Sequence, residues 1–248
     1  MALLGLRRDG SGAPLLWLHG FTQTSDSARR FRSILSGQRE LLTLDLPGHG
    51  QNAQVVATLS ETADQIVEAI PETTFTLGGY SFGARVALHV ALRHPERVER
   101  LIVLGASRGL AEAPLRAARR QLDERWAQLL ERQGTAQFLD EWLAQPLFAT
   151  LSANDDERDA RSKNAEGLAN SLRHAGTGTQ AWLGEQLSLL RAPTLALAGA
   201  LDTKFSLEAK AIAASVPHGS YDLIDHAGHA AHLEQPEQTA AAVLKFLR

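Results

Sequence analysis

The sequence has no cysteine among its 248 residues. Disulfide bonds, thiolate-bound zinc and a cysteine nucleophile are therefore excluded. No stretch offers the roughly 18 consecutive apolar residues that a membrane-spanning helix needs, so we expect no membrane partner. The formal net charge is only −3, which leaves no global basic field that would hold nucleic acid or an anionic membrane surface.

The amino-terminal residues Met1 to Gly10 lack a long apolar run behind positive charges, so we expect no signal peptide. Together these absences favour a cytoplasmic location. The rest of the composition is ordinary for a globular protein, with 44% hydrophobic and 21% charged residues. The length suits one α/β domain, or one core with an insertion.

Short apolar runs alternate with helix-like patterns in the first 107 residues and again from residue 191 onward. This alternation predicts a mostly parallel central sheet with helices on both faces. In such sheets, ligands bind beyond the carboxyl ends of the strands. Four distinctive residues come directly after a strand-like run, and we expect them to face one crevice: His19, Asp45, Ser81 and Gly105.

The strand-like runs stop between residues 108 and 190. We interpret this stretch as a helical cap inserted into an α/β core that comprises residues 1–107 and 191–248. Arginine is frequent in the cap, although a solvated helix face is the ordinary explanation for any one of these arginines. Helix-like patterns in the cap cover Arg116–Leu130, Ala136–Leu143, Ser152–Asn164 and Gln180–Leu190.

A G-x-S-x-G pattern, formed by Gly79, Ser81 and Gly83, joins an apolar strand-like run to a helix-like run. Small residues on either side of the serine let the strand and helix pass closely, and the sharp turn exposes the hydroxyl. The helix N-terminus that follows favours developing negative charge. The pattern alone is weak, because a glycine-rich turn with an incidental serine has the same appearance.

Two further residues complete the chemistry that such a serine needs. A hydroxyl requires a base at neutral pH, and a carboxylate on the second imidazole nitrogen fixes the tautomer of that base. The chain order Ser81, Asp202, His229 is the one associated with a nucleophile-elbow sheet, and Gly228 permits a tight turn before the histidine. The open alternatives are His226 or His232 as the base, Asp45 or Asp225 as the acid, and a helix-capping role for Asp202.

The backbone N–H groups of Phe21 and Phe82 are the natural donors to a negatively charged oxygen at this site. Arg85 lies one helical turn after Ser81, so it points near the mouth of the site. A cation buried there needs an anionic partner, and arginine pairs with carboxylates in bidentate fashion. A local ion pair between Arg85 and a carboxylate of the cap is the alternative.

These motifs resemble those of the α/β-hydrolase superfamily. The likeness implies the fold, a mostly parallel sheet with helices on both faces and an inserted helical cap, and does not specify the reaction. It covers the sheet portion of the chain and rests on His19-Gly20-Phe21, Asp45-Leu46-Pro47-Gly48-His49-Gly50, Gly79-Tyr80-Ser81-Phe82-Gly83, Asp202 and Gly228-His229.

Segments that the fold does not require are similar to those of the 2-succinyl-6-hydroxy-2,4-cyclohexadiene-1-carboxylate synthase family, which are lyases of menaquinone biosynthesis. The likeness runs from about Leu15 to the carboxyl terminus, and Ala84 departs from it because the family usually has glycine there. The segments are Gly79 to Arg85, Arg116-Ala117-Ala118-Arg119-Arg120 with Asp123, Gln145-Pro146-Leu147-Phe148-Ala149, Arg161-Ser162, Gly199 to Phe205, and Ala227 to His232.

The resemblance implies a lyase that removes a ring-adjacent proton from an enolpyruvyl-bearing cyclohexene with three carboxylates and expels pyruvate, giving a diene. It implies a small-molecule substrate with several carboxylates, and neither a metal nor an organic cofactor. It assigns Ser81, Asp202 and His229 to a catalytic triad. It assigns substrate binding to Tyr80, Arg85, Trp142, Phe148, Arg161, Lys204 and Arg119, with Arg120 as the alternative to Arg119. Packing in the core of the cap is the alternative role for Trp142 and Phe148.

Two other functions are compatible with the sequence. One is a serine hydrolase of the same fold, a carboxylesterase or a carbon–carbon bond hydrolase that acts on an anionic substrate through an acyl-enzyme. The other is a binding protein that kept the fold and lost catalysis, which the complete set of triad residues argues against. We expect a monomer or a small homo-oligomer.

Overall fold

The computed structural model describes Leu3 and residues 5–248. The predictions that cover Met1, Ala2 and Leu4, as part of the core and of an amino terminus without a signal peptide, lie outside the described residues. Within the described residues, seven strands form one sheet: β1 (Arg7–Asp9), β2 (Pro14–Leu18), β3 (Glu40–Thr43), β4 (Phe75–Tyr80), β5 (Val98–Leu104), β6 (Thr194–Gly199) and β7 (Gly219–Ile224).

The strand order in the sheet is β1-β3-β2-β4-β5-β6-β7. β1 is antiparallel to β3, and the other described pairs are parallel. The central strands β2, β4 and β6 are almost entirely buried, as expected for a parallel sheet covered on both faces. The predicted fold class is confirmed. The edge strand β1 has the sequence Arg-Arg-Asp and gives no apolar signal, so it was not predicted.

Eight α-helices lie between or after the strands in the described part of the chain: α1 (Arg29–Ser36), α2 (Leu59–Ala69), α3 (Phe82–Arg93), α4 (Ala113–Leu143), α5 (Ala165–Ala175), α6 (Thr203–Ser215), α7 (Ala231–Glu234) and α8 (Pro236–Phe246). Short 3₁₀ segments cover Gly50–Asn52, Pro146–Phe148, Arg158–Ala160 and Gln186–Leu189. No helix among these residues is long and apolar enough to cross a bilayer.

Alternate residues along the strands face two different helix layers. Leu16 and Leu18 of β2 join a buried apolar cluster with α2, α3 and α6. Leu15 and Trp17 join a second cluster with α1, α7 and α8. This period of two is the expected consequence of the strand pleat, and it leaves both faces of the sheet covered by helices.

The stretch from residue 108 to 190, which we call the cap segment, has its own apolar cluster built from α4 and α5. α4 covers both of the first two predicted helices, with a break at Gly134 (φ 76°, ψ 178°). The helices predicted over Ser152–Asn164 and Gln180–Leu190 are wrong, because turns and short 3₁₀ segments occupy them. The helix at Ala165–Ala175 was not predicted.

Candidate active site

The turn from β4 to α3 presents Ser81 at the carboxyl edge of the sheet. Ser81 has φ 50° and ψ −103°, a conformation that a non-glycine residue adopts only under strain. A Cβ on Gly79 would lie 2.5 Å from backbone atoms of Gly83, and one on Gly83 would lie 2.3 Å from the Leu18 carbonyl oxygen. The two glycines therefore permit the close strand–helix passage of a nucleophile elbow.

His229 lies between Ser81 and Asp202. Its Nδ1–H donates a hydrogen bond to Asp202 Oδ2 at 2.9 Å, and its Nε2 accepts one from the Ser81 hydroxyl at 3.0 Å. Asp202 is held in turn, because its Oδ1 accepts the Phe205 N–H at 3.1 Å. His229 is 2% exposed, so bulk water competes weakly for these bonds. The arrangement is that of an imidazole base held in one tautomer by an acid.

Hydrogen bonds and close backbone packing hold the loop that carries His229. Glu234 of α7 accepts the Gly228 N–H at 2.7 Å and the Ala230 N–H at 3.0 Å. A Cβ on Gly199, at the end of β6, would lie 2.0 Å from the Gly228 carbonyl oxygen. The histidine loop and the aspartate loop are thus packed backbone against backbone, which sets the distance between base and acid.

The alternatives to Asp202 as the acid and to His229 as the base lie elsewhere or bond to other groups. Asp225 and His226 are exposed. His232 is buried, but its Nε2 accepts a hydrogen bond from Gln23 Nε2 at 3.1 Å. Asp45 accepts two backbone N–H groups, at 2.7 and 2.8 Å. The structure brings none of these four alternatives to the serine.

Phe21 and Phe82 both line the cavity above Ser81. Phe82 is the first residue of α3, so its N–H belongs to the unpaired amides of a helix N-terminus. No protein acceptor for the N–H of Phe21 or Phe82 occurs within the described residues. Two unpaired donors beside a serine hydroxyl can stabilise an oxyanion.

The cavity beside Ser81 contains about 660 Å³ of unfilled space, its open mouth included. A second compartment of about 350 Å³ adjoins it, and both are lined by Phe21, Ser81, Trp142 and Leu147. Residues of the cap segment line both compartments. The first compartment also contains Arg85, Arg119, Lys204 and His229, and the second contains Tyr80, Phe148 and Arg161.

Arg85 is a buried cation at the floor of the first compartment, with 9% exposure. It donates hydrogen bonds to the Ala175 carbonyl oxygen at 2.9 Å and to Gln180 Oε1 at 3.2 Å, and no carboxylate is among its described partners. Burial, together with the charge of Arg119, lowers the Arg85 pKa to about 9. The predicted alternative, an ion pair between Arg85 and a cap carboxylate, is absent from the described residues.

Arg161 is a second buried cation, 5% exposed. It donates to the Asp156 carbonyl oxygen at 2.9 Å and to the Thr22 hydroxyl at 2.6 Å, neither of which carries charge. Burial lowers its pKa. Arg119 differs, because its Nε donates to Asp123 at 2.7 Å.

Arg119, rather than Arg120, lines the cavity. Arg120 donates to the Gly178 carbonyl oxygen at 3.0 Å and borders an outer groove of the cap segment. Lys204 lies at the cavity wall with its Nζ 5.0 Å from the Phe205 ring centroid. The cavity is therefore surrounded by cationic groups from both the core and the cap segment.

Aromatic side chains close the site around the base. The ring centroids of Tyr80 and Phe148 lie 5.4 and 6.0 Å from that of His229. Trp142 packs edge-on against Phe21 at 5.1 Å, and burial raises the pKa of the Tyr80 hydroxyl. The predicted site residues thus lie around two adjoining compartments, although their roles stay predictions.

Sequence reasoning missed the residues that hold these groups in place. Gln180 orients Arg85, and Asp123 orients Arg119. Gln180 belongs to a predicted helix that does not exist, so no local pattern indicated its role. Within Leu3 and residues 5–248, no group of three or more histidines and carboxylates is arranged to hold a metal ion.

Comparison with known proteins places these features in context. A family model described as the alpha/beta hydrolase fold matches residues 13–236. The 2-succinyl-6-hydroxy-2,4-cyclohexadiene-1-carboxylate synthase of Serratia proteamaculans (strain 568) is 35% identical over 241 residues, covering 94% of this chain and 92% of the relative.

Two solved structures are similar over nearly the whole chain. MenH from S. aureus has a TM-score of 0.91 at 30% identity, with 100% of this chain and 98% of that chain covered. A thermophilic esterase from Thermogutta terrifontis has a TM-score of 0.85 at 26% identity, with 98% and 92% covered.

Proposed function

Because this chain belongs to the alpha/beta hydrolase family and is a relative of 2-succinyl-6-hydroxy-2,4-cyclohexadiene-1-carboxylate synthase, we propose that it catalyses formation of that compound. The substrate is the enolpyruvyl-bearing succinyl-cyclohexene carboxylate, from which pyruvate is eliminated, a step of menaquinone biosynthesis. One observation carries the proposal: Arg85 and Arg161 are buried beside Ser81 and donate their described hydrogen bonds only to uncharged groups. Asp123 attracts Arg85 and Asp156 attracts Arg161, but neither carboxylate forms an ion pair with its arginine. A buried guanidinium without a carboxylate is costly, and the carboxylates of this substrate would supply the missing partners.

The reaction begins with transfer of the ring proton next to the succinyl carbonyl. Ser81 takes this proton while its own passes to His229 Nε2, and Asp202 stabilises the imidazolium that forms. The electron pair of the broken C–H bond moves into an enolate whose oxyanion accepts the N–H groups of Phe21 and Phe82. The ring enolate then expels the enolpyruvyl oxygen, which leaves with the C–O electrons as the enolate of pyruvate. The proton held by His229 passes to the methylene carbon of this enolate, which gives pyruvate and restores the neutral imidazole. No acyl-enzyme is required.

The test is release of pyruvate from this substrate, coupled to lactate dehydrogenase, with the diene product followed by its absorbance. We expect Ser81→Ala to lose most turnover. Arg85→Ala should lower kcat/KM by at least about 100-fold, since a charge-assisted bidentate contact is worth about 3 kcal/mol. Absence of pyruvate release by the folded wild-type protein would contradict the proposal.

A serine hydrolase acting on an anionic ester is the second candidate. The assembled Ser81–His229–Asp202 geometry and the similarity to the Thermogutta terrifontis esterase favour it. The two candidates differ in the intermediate and in the product that they form. A hydrolase accumulates an acyl group on Ser81 that mass spectrometry detects, and it releases no pyruvate from the enolpyruvyl substrate. The lyase accumulates no such adduct.

A further inference from the structure

Thr22, the residue after Phe21, has a backbone conformation that its side chain disfavours. Its φ is 70°, in the left-handed region where a β-branched residue is an outlier. Such conformations cost about 1–3 kcal/mol and persist only where the surroundings enforce them. Thr22 is also completely buried, so the restraint comes from protein groups and not from solvent.

The three polar groups of Thr22 are held by two different parts of the molecule. Its N–H donates to His49 Nε2 at 3.3 Å. Its carbonyl oxygen accepts the Ser162 N–H at 2.7 Å, and its hydroxyl accepts from Arg161 Nη1 at 2.6 Å. His49 comes from the loop after β3, whereas Arg161 and Ser162 come from the cap segment.

His49 is the member of this set that also touches both residues of the oxyanion pair. Its ring stacks on Phe82, with centroids 5.5 Å apart and 27° between planes, and meets Phe21 edge-on at 5.6 Å. Its Nδ1–H donates to the Pro47 carbonyl oxygen at 2.9 Å, which leaves Nε2 as the acceptor. Burial lowers the His49 pKa to about 3, so the ring stays neutral and Nε2 keeps its lone pair.

The peptide groups on both sides of the Phe21 N–H are thereby fixed. The Gly20 N–H, one residue earlier, donates to Gln23 Oε1 at 2.9 Å. The Thr22 N–H, one residue later, donates to His49. The N–H between them has no protein acceptor in the described residues, so its direction is set by the peptide groups on either side of it.

We propose that His49 is a positioning residue of the oxyanion hole: it holds the Thr22 N–H, packs between Phe21 and Phe82, and so fixes the direction of the Phe21 N–H. This inference rests on the oxyanion role that the proposed function gives to Phe21 and Phe82. It does not depend on the identity of the substrate, because any reaction that places negative oxygen there uses the same donors.

The experiment measures the second-order rate of Ser81 phosphonylation by a neutral alkyl fluorophosphonate. In this reaction the Ser81 oxygen attacks phosphorus, fluoride leaves, and the proton goes to His229, so no carboxylate-binding arginine is needed. His49→Phe keeps the stacked ring and removes the acceptor, and we expect labelling to slow at least about tenfold, against roughly 10²–10³ for complete loss of an oxyanion donor. His49→Gln offers an amide oxygen near the position of Nε2 and should recover most of the rate.

His89→Phe is the matched control, since His89 is a buried histidine of α3 that we assign no role in the site. It should label at the wild-type rate. If H49F does not unfold cooperatively, His49→Met replaces it, because methionine matches glutamine in length and lacks the amide oxygen. Wild-type labelling by H49F or H49M, or equal slowing in H49Q, would overturn the proposal.

A second measurement distinguishes failure of the His49 proposal from failure of the lyase proposal. With the enolpyruvyl substrate, H49F should lose kcat while KM stays close to the wild-type value, since the arginines that bind carboxylates are intact. If the wild-type protein releases no pyruvate, the lyase proposal fails while the labelling comparison still decides the role of His49. If pyruvate is released and H49F labels normally, only the His49 proposal fails.

Discussion

At the scale of single residues, Gly83 shows how one absent methyl group makes the serine turn possible. A Cβ there would meet two backbone carbonyl oxygens, of Leu18 at 2.3 Å and of His19 at 2.6 Å. Backbone atoms of a central strand cannot move aside as a flexible side chain can. We therefore expect Gly83→Ala to lower the free energy of unfolding by about 3 kcal/mol, the upper end for an overpacked core, as measured by urea denaturation.

Gly37→Ala is the control for this prediction. Gly37 ends α1 with φ −69°, and its Cβ would lie 3.4 Å from the nearest backbone oxygen. The substitution should raise the free energy of unfolding by about 0.4–1 kcal/mol, because alanine lowers the conformational entropy of the unfolded chain. Opposite signs for the two alanines support the steric account, and equal effects would contradict it.

Single residues also mark the limit of what the sequence could predict about the site. Ser81, Asp202 and His229 were identifiable because each follows a strand-like run, and parallel strands bring their carboxyl ends to one edge. Arg119 and Arg120 were not separable, because one residue step turns a helical side chain by about 100°. Only the packing of α4 on α5 decides which of them reaches the cavity.

At the scale of elements, α5 was missed because a tertiary contact overrides its local signal. Gly167 lies in its first turn, where glycine costs about 1 kcal/mol relative to alanine. A Cβ at this position would lie 2.5 Å from the Ala53 carbonyl oxygen and 2.6 Å from that of Gly48. The helix therefore requires glycine in order to pack against the loop after β3, and this requirement is invisible in a propensity pattern.

The start of α1 depends on the cap segment in a way that the sequence did not indicate. The helix begins after Ala28, which has no capping side chain of its own. The carboxylate of Glu157 accepts the N–H groups of Ala28 and Arg29 instead. A residue 129 positions away supplies the cap, and local sequence cannot reveal such a partner.

We expect Glu157→Ala to lower the free energy of unfolding by about 1 kcal/mol, as for loss of an ordinary helix cap. The same change should accelerate proteolytic cleavage of the cap segment, because this contact joins it to the core. Asp159→Ala is the control: Asp159 forms an exposed ion pair with Arg29, and such pairs contribute little. Equal losses in both variants, measured by urea unfolding, would show that Glu157 does not act as a cap.

At the scale of the whole molecule, burial favours the neutral form of four histidine side chains. Burial lowers the pKa of His49 and His232 to about 3 and that of His89 to about 4, and it also lowers the pKa of His19. The sheet and its strand-end motifs were predictable because they follow from periodicity. The environments of the buried histidines were not, since His19 and His49 each accept a backbone N–H from a distant loop and His232 bonds to the side chain of Gln23.

These histidines predict a sensitivity of the fold to mild acid. An unfolded histidine takes up a proton near its ordinary pKa of about 6.5, whereas the folded ones take it up only at a lower pH. Below about pH 6.5 the unfolded state therefore binds more protons, and each group removes up to about 1.4 kcal/mol of stability per pH unit. Stability is fully present above this range and is lost as the pH falls.

Urea unfolding at intervals from about pH 8 to about pH 5 tests this. We expect a flat free energy of unfolding above neutrality and a steep decline below about pH 6.5, before most carboxylates titrate. His89→Phe removes one of the four groups. The slope of its free energy of unfolding against pH should therefore correspond to about one fewer proton taken up on unfolding, whatever the variant does to stability at pH 8. A flat wild-type profile, or identical slopes for wild type and H89F, would show that these imidazoles are not kept neutral by the fold.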